Sequence, residues 1–262
     1  MLSYQHLYHA GNLADVHKHA LLAAALDYMT RKPKPLSYIE THAGRGLYDL
    51  TSPEARRTGE AEAGIGRVAG GFPPEHPYAR ALAAVRAAHG GAAYPGSPAI
   101  AAELLRPGDR MHLAELHPAE FAALCANLPQ KWIDKRQADG LEMALALTPP
   151  EPRRGLMLID PSFEIRADYT RLPRVIGQVA RKWNVGVLML WYPILISGAG
   201  AGAHEAMRDA LAADHPEALI HEVRFPPARP GHGMAGSGMV VLNPPWGLAE
   251  EAARLSKLFA RL

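Results

Sequence analysis

A chain of 262 residues, 48% hydrophobic and 21% charged, holds enough apolar material for one large core and excludes wholesale disorder. A formal net charge of +2 excludes a protein that coats nucleic acid by bulk charge, so any such contact has to come from local patches. The single cysteine, Cys125, excludes an internal disulfide; the polar opening carries no secretory signal and no apolar run approaches the roughly 20 residues that span a bilayer, so a cytoplasmic protein without membrane contact is expected.

In chain order, "ADVHKHALLAAALDYM" (Ala14 to Met29) predicts a long helix that stops before the breaker cluster "RKPKP". Strands are expected at Leu36 to Glu40, Arg110 to Glu115, Leu156 to Ile159, Val185 to Trp191, Leu219 to Arg224 and Met239 to Leu242. Helices are expected between them at Ala119 to Leu128, Tyr169 to Trp183 and His204 to Ala213. This alternation implies an α/β fold, a mostly parallel sheet with helices on both faces. The first two strands lie about 70 residues apart, whereas one crossover needs about 30. We therefore expect a helical insertion over 50–94, with 1–49 and 95–262 forming the sheet domain. "FPPARPGHGMAGSG" reads as a loop joining the last two strands, which would form an antiparallel hairpin at the sheet edge.

Five stretches can carry chemistry. After the first strand, Ala43-Gly44-Arg45-Gly46 lets backbone approach a ligand, though it also suits a plain strand-to-helix turn. Asp49 stands where a dinucleotide fingerprint needs a third glycine. Glu40 and a short glycine turn suit S-adenosyl-L-methionine better, because that cofactor has no pyrophosphate and offers an amino group to an acid. Glu115, ending the second strand, is placed to accept hydrogen bonds from a ribose. Asp139-Gly140 could hold an adenine amino group, but a simple helix cap explains the pair better.

The fourth stretch is Asp160-Pro161-Ser162-Phe163. An exocyclic amine on adenine is a poor nucleophile, since its lone pair is conjugated into the ring. Acceptors such as the Asp160 carboxylate and the Pro161 carbonyl can hold that amine, and the Phe163 ring can stack on the base. Val240 to Trp246, "VVLNPPW", is the better spelling of an amino-methylation loop. It follows the last strand, however, whereas ligands gather where the strand order reverses, beside the first and fourth strands. Asp160 is therefore preferred, leaving Asn243 to Trp246 as a strand terminator with a buried or lid tryptophan. The fifth stretch is N-terminal, where Tyr4, His6, Tyr8, His9, Asn12, His17, Lys18 and His19 crowd together. It reads as a polar helix entry or as a lid over cofactor and base; the spacing supports no zinc site. Basic clusters at Arg31-Lys32-Lys34, Arg56-Arg57, Lys131-Lys135-Arg136 and Arg153-Arg154 are solvated faces singly and could track phosphates together.

Across nearly its whole length the chain resembles the bacterial ribosomal RNA large subunit methyltransferase J family, adenine-N6 methyltransferases of 23S rRNA. The resemblance lies in "MLSYQHLYHAGNLADVHKH", "THAGRGLY", "RTGE", "YPGSP", "LAELHP", "ADG", "RRGLMLIDP", "LWYP" and "GMAGSGMVVLNPPW". It implies a Rossmann-like class I S-adenosylmethionine-dependent methyltransferase fold, a seven-stranded sheet with a small helical insertion. It implies cofactor contacts from His19, His42, Ser97, Glu115, Asp139, Gly140 and Asp160, a catalytic aspartate at Asp160 and a substrate-binding tyrosine at Tyr4. The implied partner is 23S rRNA, protein-free or immature, bound by a monomer. Two positions depart from the family pattern: Ser162 replaces a second proline, and Glu40 stands where aspartate is usual. Amino methylation of DNA or of a protein glutamine uses the same loop chemistry, and Ser162 also admits a catalytically weakened RNA- or cofactor-binding module.

Overall fold

The computed structural model describes residues 6–198, 200–227 and 233–262; Tyr4 lies outside them. After a short 3₁₀ turn (His6–Tyr8), Asn12 caps helix α1 (Leu13–Thr30), its side chain accepting from the Asp15 N–H. There follow β1 (Ser37–Glu40), β2 (Leu47–Asp49), α2 (Pro53–Thr58), α3 (Pro77–His89), β3 (Ala93–Pro95), α4 (Ser97–Leu104), β4 (Arg110–Ala114), α5 (Pro118–Asn127) and β5 (Ile133–Arg136). The chain continues through α6 (Gly140–Leu147), β6 (Gly155–Ile159), α7 (Asp168–Lys182), β7 (Val187–Leu195), α8 (Ala203–Asp214), β8 (Leu219–Arg224), β9 (Met234–Leu242) and α9 (Leu248–Phe259). A π-helical turn (Glu62–Gly66) lies between α2 and α3.

Seven strands form one sheet in the order β5-β4-β1-β6-β7-β9-β8. The first five run parallel, and β9 runs antiparallel to both β7 and β8. The order reverses between β1 and β6, which is where an open doubly wound sheet leaves a crevice at its carboxyl edge. Alternate strand residues face opposite sides. Tyr38, Leu113, Leu158 and Met189 join a core with α1, α3, α4 and α9; Ile39, Ala114, Ile159 and Leu190 join one with α6, α7 and α8.

Two expectations change. The turn after β1 contains a short strand, β2, that pairs antiparallel with β3 at the end of the 50–94 stretch. These two strands are three residues each, too short for a hydrophobic alternation to betray them. Helix α3, in the same stretch, packs on α1 and α4. The last strand begins at Met234, not Met239, so much of "GMAGSG" is strand rather than loop. Its glycines mark close approach: a Cβ on Gly238 would lie 2.1 Å from the Tyr192 ring. The hairpin of β8 and β9 does close the sheet, with β8 at its edge.

Candidate active site

A cavity of about 420 Å³ opens at the carboxyl ends of β1, β4, β5 and β6, within the size range of small-molecule sites. Its lining includes His19, His42, Ser97, Glu115, Asp139, Gly140, Asp160 and Pro161, all singled out in the sequence. Each arrives by a separate structural reason.

Glu115 follows β4. Its two carboxylate oxygens accept from the backbone N–H groups of Gly44 (2.8 Å) and His117 (2.7 Å). The carboxylate is thus tied to the glycine turn after β1. Burial pushes its pKa up, and the two N–H bonds pull it back in part. Asp139 does cap α6, with Oδ1 accepting from Leu141 (2.8 Å) and Glu142 (3.1 Å). Its other oxygen lies 3.5 Å from Arg171, at the cavity wall. Gly140 is required by packing: a Cβ there would sit 1.7 Å from the Thr41 carbonyl. The close fit brings the loop after β5 against the end of β1.

Glu40 is fully buried and is absent from the cavity lining, which corrects the expectation of direct contact with a ligand amine. Ser97 stands between, donating to Glu40 Oε1 at 2.5 Å, while Tyr38 donates to Oε2 at 2.7 Å. Burial outweighs these bonds and raises the Glu40 pKa to about 8. His42 accepts or donates to Thr41 at 2.8 Å, and burial lowers its pKa. His19 is buried on α1, 3.0 Å from the Tyr94 hydroxyl; burial lowers its pKa to about 3, so it is neutral at physiological pH.

Asp160, just beyond β6, meets a partner that spacing alone does not suggest. Lys18 Nζ donates to Asp160 Oδ2 at 2.6 Å and lies 3.1 Å from Asp15 Oδ1. Burial opposes the Lys18 charge, but Asp160 and Asp15 outweigh it and raise its pKa. The ammonium also sits 5.4 Å from the Trp191 ring centroid, within cation–π range. Asp15 is itself buried; His6, Lys18 and His19 overcome that burial and hold its carboxyl well below the ordinary range. His6 Nε2 lies 2.8 Å from Asp15 Oδ2. A lysine and an aspartate in the largely apolar first half of a buried helix are the available signal, because buried charges are seldom left unpaired.

Phe163 corrects another expectation. Its ring is buried and packs on Tyr169 (centroids 4.7 Å apart) and Trp191 (6.1 Å). The residue takes φ +53°, which turns the side chain inward, away from a base arriving in the cavity. Exposed apolar side chains on the rim come instead from Leu116 and Ile165.

The rival motif lies on the other side of the sheet. Because β9 is antiparallel, Leu242 pairs with Leu188 near the start of β7, and Asn243 emerges at the amino edge. The Asn243 amide there donates to the carbonyls of Asn184 (3.2 Å) and Gly186 (2.8 Å). It is a strand terminator, as expected, but Trp246 is 74% exposed and beside Tyr28, neither buried nor near the cavity.

Comparison with known proteins meets this geometry from outside. Residues 33–261 match the family model of ribosomal RNA large subunit methyltransferase D, RlmJ. The chain belongs to this family. It is 37% identical to ribosomal RNA large subunit methyltransferase J of Escherichia coli (strain K12), over 96% of this chain and 90% of that one. The same-named protein of Haemophilus influenzae is also 37% identical, over 95% and 89%. A crystallised protein from Legionella pneumophila superposes with a TM-score of 0.83 at 33% identity, covering 95% of this chain and 92% of that chain. The Rossmann-like class I fold expected of an RlmJ family member is the fold observed. Among the described residues no helix is long and apolar enough to cross a membrane.

Proposed function

We propose that this RlmJ family member transfers a methyl group from S-adenosyl-L-methionine to N6 of an adenine in 23S rRNA. One observation carries the reading: the Asp160-Pro161-Ser162 loop opens into the same cavity as Glu115 and Asp139, at the point where the strand order reverses.

The residues suit that cofactor. Glu115 offers a carboxylate to a ribose diol. Asp139 keeps an oxygen at the cavity wall after capping α6, for an adenine amino group. Ser97, backed by the high-pKa Glu40, faces the place where an ammonium would stabilise the ionised acid. His19 and His42 supply polar walls. When bound, the cofactor provides an electrophilic methyl group on its sulfonium.

The chain's own work is to hold the acceptor nitrogen. Asp160 and the Pro161 carbonyl accept hydrogen bonds from the amine, which localises its lone pair and aims it at the methyl group. Positioning of this kind is worth about 7–11 kcal/mol of barrier. Lys18 fixes the Asp160 carboxylate by a short ion pair, so the acceptor is oriented before the base arrives. The C–N bond would form as the carbon–sulfur bond breaks, leaving a neutral thioether, and the nitrogen would then shed one proton, for which Asp160 offers a carboxylate in the loop. Tyr4 is assigned to the substrate by resemblance. The same reading takes 50–94 as an insertion into a 1–49/95–262 sheet domain, and the protein as a cytoplasmic monomer acting on protein-free or immature rRNA.

The test is methyl transfer from labelled cofactor to unmodified 23S rRNA, with nucleoside mass spectrometry of the digest. N6-methyladenosine is the expected product. Cofactor binding without any rRNA product would overturn the reading and favour the weakened module that Ser162 admits.

A further inference from the structure

The "RTGE" stretch, 57–60, has no place in the chemistry above, yet it supplies a carboxylate that is only 1% exposed. Burying a carboxylate is costly unless it is paired and hydrogen-bonded. Among the described residues Glu60 has both kinds of partner in the segment that leads into the site. Both of its oxygens lie 3.0 Å from His9 Nδ1, and Oε2 accepts from Asn12 Nδ2 at 3.1 Å. Two neighbouring bonds run the same way: Thr58 Oγ1 donates to the Tyr8 carbonyl (2.6 Å), and Ile65 N–H donates to the Gly11 carbonyl (2.8 Å).

From Asn12 the connection continues without a gap. Its Oδ1 accepts from Asp15 N–H at 2.8 Å and starts α1. Asp15 accepts from Gly11 N–H (2.9 Å), pairs with His6 (2.8 Å) and lies 3.1 Å from Lys18, which holds Asp160 at 2.6 Å. Five residues thus join residue 60 to the acceptor loop, with the Asn12 link made to the Asp15 backbone: Glu60, Asn12, Asp15, Lys18 and Asp160.

We propose that Glu60 is a positioning residue for methyl transfer: its carboxylate clamps His9 and Asn12, and through Asn12 it sets the first turn of α1 and hence the Lys18–Asp160 pair. The role of the 50–94 stretch is then to brace the amino-terminal segment over the cavity. This inference rests on the site reading above. It predicts that loss of Glu60 lowers turnover more than cofactor affinity, because its described partners His9 and Asn12 are bonded to neither Glu115 nor Asp139.

The experiment uses the full chain with substitutions Glu60→Ala, Glu60→Gln, Asn12→Ser and Asp160→Ala. Serine still caps a helix but cannot reach Glu60, so Asn12→Ser cuts the link and keeps the cap. Turnover on 23S rRNA, cofactor Kd and thermal melting are measured for each. Misplacing a catalytic group by 1 Å can cost about 100-fold. Glu60→Ala and Asn12→Ser should each lower kcat about tenfold or more, with cofactor Kd within about threefold of the parent. Acting as one unit, Glu60→Ala and Asn12→Ser combined in one double variant should be no worse than either single. Glu60→Gln keeps the volume and only part of the bonding, and should fall between parent and alanine; it serves as the test if alanine fails to fold. Parental kcat in the glutamine variant, a lower melting temperature with unchanged kcat, or additive losses in the double variant would each overturn the inference. Asp160→Ala separates the two levels: parental turnover there sinks the site reading, whereas a dead Asp160→Ala beside a fully active Glu60→Ala sinks only the clamp.

Discussion

Two loops in this molecule are spelled almost alike and do different work. Asp160-Pro161-Ser162-Phe163 and Asn243-Pro244-Pro245-Trp246 each follow a buried strand and each end in an aromatic ring. The second is the closer match to an amino-methylation loop, but strand direction sends it to the wrong edge. β6 runs parallel to β1 and delivers Asp160 to the cavity; β9 runs antiparallel and delivers Asn243 about a strand length away, roughly 15–20 Å. The polar groups follow suit. Asp160 meets a buried ammonium and open space, whereas Asn243 is spent on two backbone carbonyls. The aromatics are reversed from expectation: Phe163 is packed inside and Trp246 stands out in solvent.

The comparison can be broken most sharply at its acidic end. Asp160→Ala should cut methyl transfer to 23S rRNA by at least about 100-fold while the fold persists; equal loss on Asn243→Ala would erase the distinction between the loops. Asn243→Ala should act on stability instead. It removes two hydrogen bonds and puts alanine at φ +52°, together costing about 1–3 kcal/mol. Differential scanning calorimetry should show a lowered Tm, with kcat at 25 °C close to parental.

A pH-dependent effect on stability comes from the acid behind the Asp160 side of the sheet. Glu40 is raised to about 8 in the fold from an ordinary 4.5, so between those values the folded chain holds a proton that the unfolded chain has released. Stability from this group is full below about pH 4.5 and is lost as pH rises through 8. Melting curves across that window should show the loss, and Glu40→Gln should flatten it. Ser162→Pro restores the spelling of the second loop in the first. If the backbone there suits proline, stability should rise by about 0.4–1 kcal/mol, with kcat changed only a few-fold. The smallest effect is expected from Trp246→Ala, which removes an exposed ring whose neighbour is Tyr28. It should shift stability by less than about 0.5 kcal/mol and leave turnover alone.

Much of this architecture is legible in the amino-acid sequence. Buried strands such as Leu156 to Ile159 announce themselves by apolar runs, and their order along the chain places Glu115, Asp139 and Asp160 at one edge. What escapes is whatever depends on direction or contact. The φ of Phe163 turns its ring to the core, and no local pattern encodes that. Gly236 and Gly238 read as loop because their reason is across the sheet, in the Val223 carbonyl and the Tyr192 ring. Lys18 is visible as part of a crowded polar stretch, but its pairing with a residue 142 positions away belongs to the fold. Likewise Glu40 lies one hydroxyl deeper than its place at a strand end suggests.

Helix α1 leaves little room for change. Fourteen of its eighteen residues are buried and the other four are half-buried, so it has no open water-facing side on which substitutions could accumulate without consequence. A randomised library over 13–30 should therefore yield few survivors, and those should cluster at Ala24, Asp27, Tyr28 and Thr30. Anyone reshaping this enzyme toward a new RNA would do better to begin at the rim, where Leu116 and Ile165 can vary without disturbing a packed neighbour on every side.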